Sequence, residues 1–299
     1  NHDSGDYSGE GLTIDYSTHR IDDSIYYECP EPNVHAVKDL PNNTRYENEV
    51  NLLLASSGNL SREIKRYLVA MTRASTISAQ RKGRIEGSRL WKNRVYGHTS
   101  DAGKRVYKNK HIRNSVDTTV SIVVDQSGSM MGSKICHAVA SEAMLNNVLN
   151  SIRVKSEIIG FSHRHVSDLY IHKDYNETVN EKELVNRALR SVGHSLNNNA
   201  DGEAILWAYE RIKQRKEAKK VMIVLSDGSP AACTEQDITG FTRNIVKRIE
   251  NDSDVEIYAI GIMDRSVEYF YKDNQVINQA SDLEPALLNV LKKKVINHE

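Results

Sequence analysis

The chain has 299 residues, which is enough for one large domain or two modest ones. It carries 40 Lys and Arg residues against 40 Asp and Glu residues, and this zero net charge argues against a dedicated nucleic-acid binder. No apolar run approaches the roughly 20 residues that a membrane span needs, so we expect no membrane association.

The N-terminus and the cysteines bear on cellular location. Residues 1–10 are polar and acidic, unlike a signal peptide, and the chain begins with Asn, so we expect a fragment of a longer protein. Cys29, Cys136 and Cys233 are odd in number, widely spaced and without a CxxC pair. A reducing, cytoplasmic location fits this cysteine usage best.

Residues 1–45 are rich in Asp, Asn, Ser and Pro and show little periodicity. Their acidic residues include Asp3, Asp6, Glu10, Asp15, Asp22, Asp23, Glu28 and Glu31. This composition predicts an extended or weakly ordered acidic arm.

Residues 46–115 are predicted to form a basic helical segment. From residue 46 to about residue 84, apolar residues recur at helical spacing. Between Arg62 and Arg113, fifteen Lys and Arg residues face three Asp and Glu residues. The excess is either a solvated helical face or a docking surface for an acidic partner or for the acidic arm. For the second interpretation, we select as partner-binding residues Arg81, Lys82, Arg84, Arg89, Lys92 and Arg94.

Residues 116–299 alternate predicted strands and helices. Strands are predicted at residues 119–124, 157–161, 165–171, 220–225 and 255–262. Helices are predicted at residues 134–150, 181–192, 202–215, 238–250 and 284–295. The alternation predicts an α/β fold with a doubly wound, mainly parallel sheet. In such sheets, ligands lie beyond the carboxyl ends of the strands.

The strongest local pattern follows the first of these buried strands. Asp125, Ser127 and Ser129 alternate around a glycine, so their three oxygens can turn toward one point. Asp227 follows a second buried strand. Oxygen ligands are what Mg²⁺ or Mn²⁺ prefers. A helix cap and a simple turn would explain either motif alone. Both motifs together, each after a buried strand, favour a divalent-metal site.

Asp125-x-Ser127-x-Ser129 with the later Asp227 resembles the metal-ion-dependent adhesion site of von Willebrand factor A (VWA) domains. The resemblance implies that the first loop supplies three metal ligands and that Asp227 contributes to the site, in this family often through a bound water. It also implies that one coordination position of the metal stays open for a carboxylate of a partner protein.

The middle loop departs from the VWA pattern, which has a Thr ligand there. The corresponding position is Asn199, and Asp201 lies two residues later. We expect Asp201 to substitute for the Thr, with Asn199 as the second choice.

Five elements, in order, are similar to the C-terminal VWA region of the CobT subunit of aerobic cobaltochelatase. They are residues 125–130, 159–162, 201–208, 226–230 and 256–262. The most specific is DGEAILWA at residues 201–208, because other VWA domains have Thr-containing loops there. The basic helical segment before the VWA region is also similar to CobT.

The resemblance implies a Mg²⁺-binding, non-catalytic subunit in an oligomeric assembly. Its partner would be an AAA+ ATPase of the CobS or MoxR type, with a large chelatase subunit as a further partner. The complex would be an ATP-driven chelatase or remodelling machine, with cobalt insertion for cobalamin biosynthesis as one role. CobT-like proteins are also encoded by phages. The expected location is the cytoplasm of the bacterial cell, or of the host cell if the chain is encoded by a phage. The alternative is a stand-alone VWA adhesion or structural module, for instance in a phage particle.

Three other chemistries are not favoured. Residues 128–134 lack the glycine spacing of a phosphate loop, so we expect no ATP hydrolysis by the chain itself. Ser127 and Ser129 have no His at nucleophile spacing, so no catalytic residue is assigned. His163 and His165 are interpreted as an exposed loop pair rather than a transition-metal site.

Overall fold

The computed structural model describes residues 19–22, 25–56, 75–80, 84–85, 87–95, 107–111, 117–231, 236–291 and 293. The chain divides into two units. Unit 1 comprises residues 1–61 and 116–299, and unit 2 comprises residues 62–115. The division differs from the three predicted ranges, since residues 1–45 and the first helix after residue 46 both belong to unit 1.

Strands and helices are numbered along the whole chain. The strands are β1 (His19–Asp22), β2 (Ile25–Tyr27), β3 (Asn33–Ala36), β4 (Ser75–Gln80), β5 (Arg84–Ile85), β6 (Tyr107–His111), β7 (Thr118–Asp125), β8 (Lys155–His163), β9 (Ser167–Lys173), β10 (Lys219–Ser226), β11 (Val255–Ile262) and β12 (Asn274–Ile277). The helices are α1 (Glu47–Ser56), α2 (Gly87–Val95), α3 (Ser133–Ser151), α4 (Glu181–Val192), α5 (Asp201–Lys213), α6 (Ile238–Asp252), α7 (Val267–Phe270) and α8 (Ala280–Val290). Among the described residues, no helix is both long and apolar enough to span a bilayer.

Unit 1 is built on a seven-stranded sheet with the order β12-β11-β10-β7-β8-β9-β3. Neighbouring strands are parallel except β8 and β9, which are antiparallel. The predicted doubly wound, mainly parallel α/β fold is confirmed. The antiparallel pair arises because only a short turn joins β8 to β9, and so short a connection cannot cross over to a parallel strand.

Helices flank the sheet. Helix α3 contacts α1, α4 and α8, whereas α5 contacts α6. Every residue of β7 is buried, which explains the continuous apolar run that predicted it. The core includes Val123, Ile159, Ile205, Val224 and Phe241.

The strand order reverses beside β7. After β9, the chain crosses back to form β10 on the other side of β7, so β7 lies between β8 and β10. Its last residue, Asp125, lies near Ser226, the last residue of β10, because Val124 pairs with Leu225. A reversal of this kind opens a crevice at the carboxyl ends of the strands, where ligands bind.

Part of the predicted acidic arm is an edge strand of this sheet. Strand β3 pairs in parallel with β9. Asn33 Nδ2 donates to Asp168 Oδ1 at 3.2 Å, and His35 Nε2 lies 2.8 Å from the same oxygen. The ring of His35 stacks on Tyr170, and Val37 just beyond is buried. The arm therefore covers the backbone groups that an edge strand would otherwise expose.

Unit 2 contains the three-stranded antiparallel sheet β4-β6-β5 and helix α2. The predicted helix over residues 46–84 was wrong for residues 75–80 and 84–85, which form strands. The β-branched Thr76 and Ile77 favour a strand, and pairing with β6 overrides the helical spacing. Helix α1 ends at Ser56, and residues 57–74 lie outside the described residues.

The close approach of β8 to the loop after β7 gives a first prediction. A Cβ atom on Gly160 would lie 2.7 Å from Cδ of the buried Gln126, whose amide is itself hydrogen-bonded. We expect Gly160→Ala to lower the free energy of unfolding by about 1–3 kcal/mol, because this site has no room for a methyl group. Urea denaturation followed by circular dichroism measures the effect.

Gly87→Ala is the matched control. Gly87 is exposed at the start of α2, and among the described residues no atom outside its own stretch of helix lies within 4 Å of its added Cβ. Because alanine is the better helix former, this variant should not lose stability. An unchanged urea midpoint in Gly160→Ala would contradict the tight packing of Gln126.

Candidate metal centre

The loop after β7 is clamped on both sides. The backbone N–H of Gln126 donates to the carbonyl of Phe161 in β8 at 2.8 Å. The carbonyl of Gln126 accepts from the N–H of Leu196, also at 2.8 Å. These two bonds fix the direction in which the loop leaves Asp125, whose side chain is fully buried.

The predicted ligands of the first and third loops come together. Asp125 Oδ1 accepts from the backbone N–H of Ser127 at 2.8 Å. The hydroxyl oxygens of Ser127 and Ser129 lie 2.9 Å apart. Ser129 Oγ in turn donates to Asp227 Oδ1 at 2.7 Å. A series of hydrogen bonds through Ser127 and Ser129 therefore joins the end of β7 to the loop after β10.

Asp201, the first residue of α5, joins the same group through Ser226. Ser226 Oγ lies 3.2 Å from Asp125 Oδ2 and 3.1 Å from Asp201 Oδ1. A hydroxyl has only one proton to donate. Ser226 therefore cannot satisfy both carboxylates at once, and part of their negative charge stays uncompensated.

Asn199 forms hydrogen bonds through both the oxygen and the nitrogen of its side-chain amide. Its side-chain oxygen accepts from the backbone N–H of Ala231 at 2.9 Å. Its amide donates to Asp201 Oδ2 at 2.7 Å and to the carbonyl of Ser229 at 3.3 Å. Asn199 thus ties the loop after β10 to α5 and orients Asp201. This arrangement agrees with the preference for Asp201 over Asn199, and both ligand roles stay predictions.

The three carboxylates share a buried, negatively charged environment. Burial, followed by the charge of Asp227, raises the pKa of Asp125 to about 6. Burial, followed by the charge of Asp125, raises the pKa of Asp201 well above its usual value. Lys134 donates to Asp227 Oδ2 at 2.6 Å, and among the described residues it is the one cation bonded to the three carboxylates.

The donor set fits a hard divalent cation. It consists of oxygens only, and it has more negative charge than its single lysine compensates. Within the described ranges, no three His, Cys, Asp or Glu side chains are grouped so as to hold an ion by themselves. The hydroxyls of Ser127 and Ser129 would therefore have to complete the ligand set with Asp125, Asp201 and Asp227.

Behind the loop lies a buried polar network that the sequence did not reveal. Gln126 Nε2 donates to Ser191 Oγ at 2.9 Å, and Ser191 Oγ lies 2.8 Å from His172 Nε2. His172 Nδ1 lies 2.9 Å from Glu142 Oε2. All four side chains are fully buried, so no substrate can reach the serine. The network instead holds Gln126, and with it the loop between Asp125 and Ser127.

Sequence reasoning also missed Lys134 and Ser226 as members of the centre. Both lie close in sequence to predicted ligands, yet no spacing rule marks them. The network residues come from the loop, α3, β9 and α4, and no sequence pattern links them. Polar residues within otherwise apolar elements were the available signal.

The predicted histidine pair was half wrong. His165 is exposed, but His163 is the last residue of β8 and is buried. Pairing of His163 with Ser167 of β9 extends β8 beyond the predicted strand end, and the backbone of His163 also exchanges hydrogen bonds with Asn198 at 2.7 and 3.0 Å.

Unit 2 holds the predicted partner-binding residues. Arg84, Lys92 and Arg94 are exposed. Arg81, Lys82 and the side chain of Arg89 lie outside the described part of the chain. Beside them in α2, Trp91 is 68% exposed, which the sequence analysis did not anticipate.

The solved structures similar to this chain include two that are described as von Willebrand factor domains. The pilus adhesin SpaC from Lactobacillus rhamnosus GG is 18% identical, with a TM-score of 0.45 over 60% of this chain and 31% of SpaC. The vWF domain of the type V pili tip protein Mfa5 from Porphyromonas gingivalis is 12% identical, with a TM-score of 0.46 over 62% of this chain and 98% of that domain. A von Willebrand factor type A structure from Catenulispora acidiphila is 15% identical, with a TM-score of 0.44 over 60% of this chain and 42% of that chain. The chain thus spans about a third of SpaC.

A protein-family comparison extends over more of the chain. The family described as "Cobalamin biosynthesis protein CobT VWA domain" matches residues 106–170 and 169–297, which together make up more than half of the sequence. The chain therefore belongs to the CobT VWA domain family.

Proposed function

We propose that this chain is a metal-dependent protein-binding subunit of the CobT type. It binds Mg²⁺ or Mn²⁺ and partners an AAA+ ATPase of the CobS or MoxR type in a chelatase or remodelling complex. The observation that supports this most is the meeting of three buried carboxylates with two serine hydroxyls where the strand order reverses. The ligands would be Asp125, Ser127, Ser129, Asp201 and Asp227.

The chain's own residues hold the ligands in place before anything binds. The backbone of Ser127 fixes Asp125, and Ser226 connects Asp125 to Asp201. Ser129 and Lys134 hold the two oxygens of Asp227. Bound there, a divalent cation would offer a coordination position to a carboxylate of another protein. Because the site is preorganised, little ordering cost would reduce the affinity for that partner.

ATP hydrolysis is assigned to the partner, because the chain has no phosphate loop. Family membership supports a role in a multisubunit complex. The family description names cobalamin biosynthesis, and within it we propose cobalt insertion as the client reaction. The chain itself would be non-catalytic, with the VWA unit as its binding surface.

The basic unit 2 is proposed as a second contact for an acidic partner. Its exposed Arg84, Lys92 and Arg94 accompany the exposed Trp91. Tryptophan and arginine are enriched among residues that dominate binding energy at interfaces. Charges of this kind chiefly increase the rate of association and lose effect as salt rises.

Removal of Asp125 tests the metal site. We expect isothermal titration with Mg²⁺ to show one site in the wild type and at least about a hundredfold weaker binding in Asp125→Ala, because a direct carboxylate ligand is lost. Far-ultraviolet circular dichroism should remain native, since Asp125 lies at the end of a strand.

Asp254→Ala is the matched control for this titration. Asp254 pairs with Lys220 at the opposite end of β10 and is not part of the centre. The Asp254→Ala variant should bind Mg²⁺ with the same affinity as the wild type. Equal Mg²⁺ affinity in Asp125→Ala and the wild type would rule out the proposed ligand.

Partner capture tests the two contacts together. Tagged chain should retain an AAA+ ATPase from its native cell extract in Mg²⁺ and release most of it in EDTA, because the proposed contact is completed through the metal. The triple variant Arg84→Glu, Lys92→Glu and Arg94→Glu should associate more slowly, with a weaker dependence on salt.

The control is a triple variant with the same change of charge on unit 1. Lys182, Lys213 and Lys216 are exposed there, and their replacement by Glu should leave capture largely intact. A complex that survives both EDTA and Asp125→Ala would show that the metal is not part of the contact. Equal loss of capture in the two triple variants would remove the special role of unit 2.

A further inference from the structure

Lys134 is a cation that the chain itself places in the candidate metal centre. Its Nζ donates to Asp227 Oδ2 at 2.6 Å, while Ser129 Oγ donates to Oδ1 at 2.7 Å. The side chain of Asp227 is fully buried, and that of Lys134 is 26% exposed. Both oxygens of Asp227 are therefore bonded within the chain, one of them to a full positive charge.

The other two carboxylates lack this compensation. Among the described residues, Asp125 accepts from the backbone of Ser127 and from Ser226, and Asp201 accepts from Asn199 and Ser226. None of these donors is charged. Because a buried charge is costly unless it is paired, Lys134 has a large share in keeping the three carboxylates together.

The position of Lys134 in its helix also indicates that this lysine serves the carboxylates. It is the second residue of α3, where the helix dipole disfavours a cation. The loop nevertheless brings it there, since Gly132 adopts a φ of 92°, in the left-handed region that favours glycine. Helix stability does not explain a lysine at this position, whereas the bond to Asp227 does.

We propose that Lys134 is an internal counter-cation that competes with the divalent ion for the charge of Asp227 and thereby sets the affinity of the metal centre. This inference rests on the proposed function. Lys134 stabilises the protein without metal and weakens metal binding. The rise in stability that Mg²⁺ causes reports the metal affinity, because a ligand that binds the folded state stabilises it by an amount that grows with the logarithm of its affinity. The consequence is a metal that exchanges instead of being held permanently.

The test compares Lys134→Met, which removes the charge, with Lys134→Arg, which keeps it. We expect Lys134→Met to bind Mg²⁺ about tenfold more tightly in isothermal titration, because a nearby positive charge is lost. Its melting temperature should be below that of the wild type in EDTA and should rise more on addition of Mg²⁺. Lys134→Arg should restore most of the wild-type behaviour.

Lys220→Met is the matched control, because Lys220 also donates to an aspartate, Asp254, at 2.6 Å, but at the far end of β10. It should change neither the Mg²⁺ affinity nor the rise in melting temperature that Mg²⁺ causes.

The outcomes separate the two proposals. Mg²⁺ binding by the wild type with equal or weaker affinity in Lys134→Met would overturn the role of Lys134 and leave the metal site standing. No Mg²⁺ binding by the wild type, Lys134→Met or Lys134→Arg would overturn the metal site itself.

Discussion

Negative charge buried at one edge of the sheet is the constraint around which unit 1 is arranged. Asp125, Asp201 and Asp227 come from the end of β7, the start of α5 and the loop after β10, and each is at most 2% exposed. Three carboxylates would repel one another in an apolar surrounding. The donors that oppose this repulsion are the backbone N–H of Ser127, the hydroxyls of Ser129 and Ser226, the amide of Asn199 and the ammonium group of Lys134. The reversal of strand order supplies the crevice in which such a group can sit.

Support for this group extends well behind the loop. Gln126 lies between two predicted ligands and is held by Ser191, which in turn contacts His172. Gly160 provides the space for the Gln126 side chain. Ligands that must meet one ion within a few tenths of an ångström need such support, because their own rotamers alone leave them free to move.

The sequence predicted the sheet well because its strands are buried on both faces and its helices follow a clear period. The limits of α4 and β11 agree with the predicted ranges, and Asp125, Ser127, Ser129 and Asp227 do meet. Strand β3 was missed because Asn-Val-His-Ala has too little apolar character to show a period. The strands of unit 2 were missed because tertiary pairing prevailed over helical spacing. Ser226 and Lys134 were missed as partners of the carboxylates because only the folded chain brings them there.

The division of the chain has a consequence for how the protein can be cut. Unit 2 is an insertion, since unit 1 is made of residues before 62 and after 115. A fragment that starts at β7 would lack β3 and α1, leaving the edge of β9 unpaired and the surface of α3 that α1 covers open to solvent. An autonomous VWA fragment therefore has to keep residues 28–56 together with the residues from 117 onward.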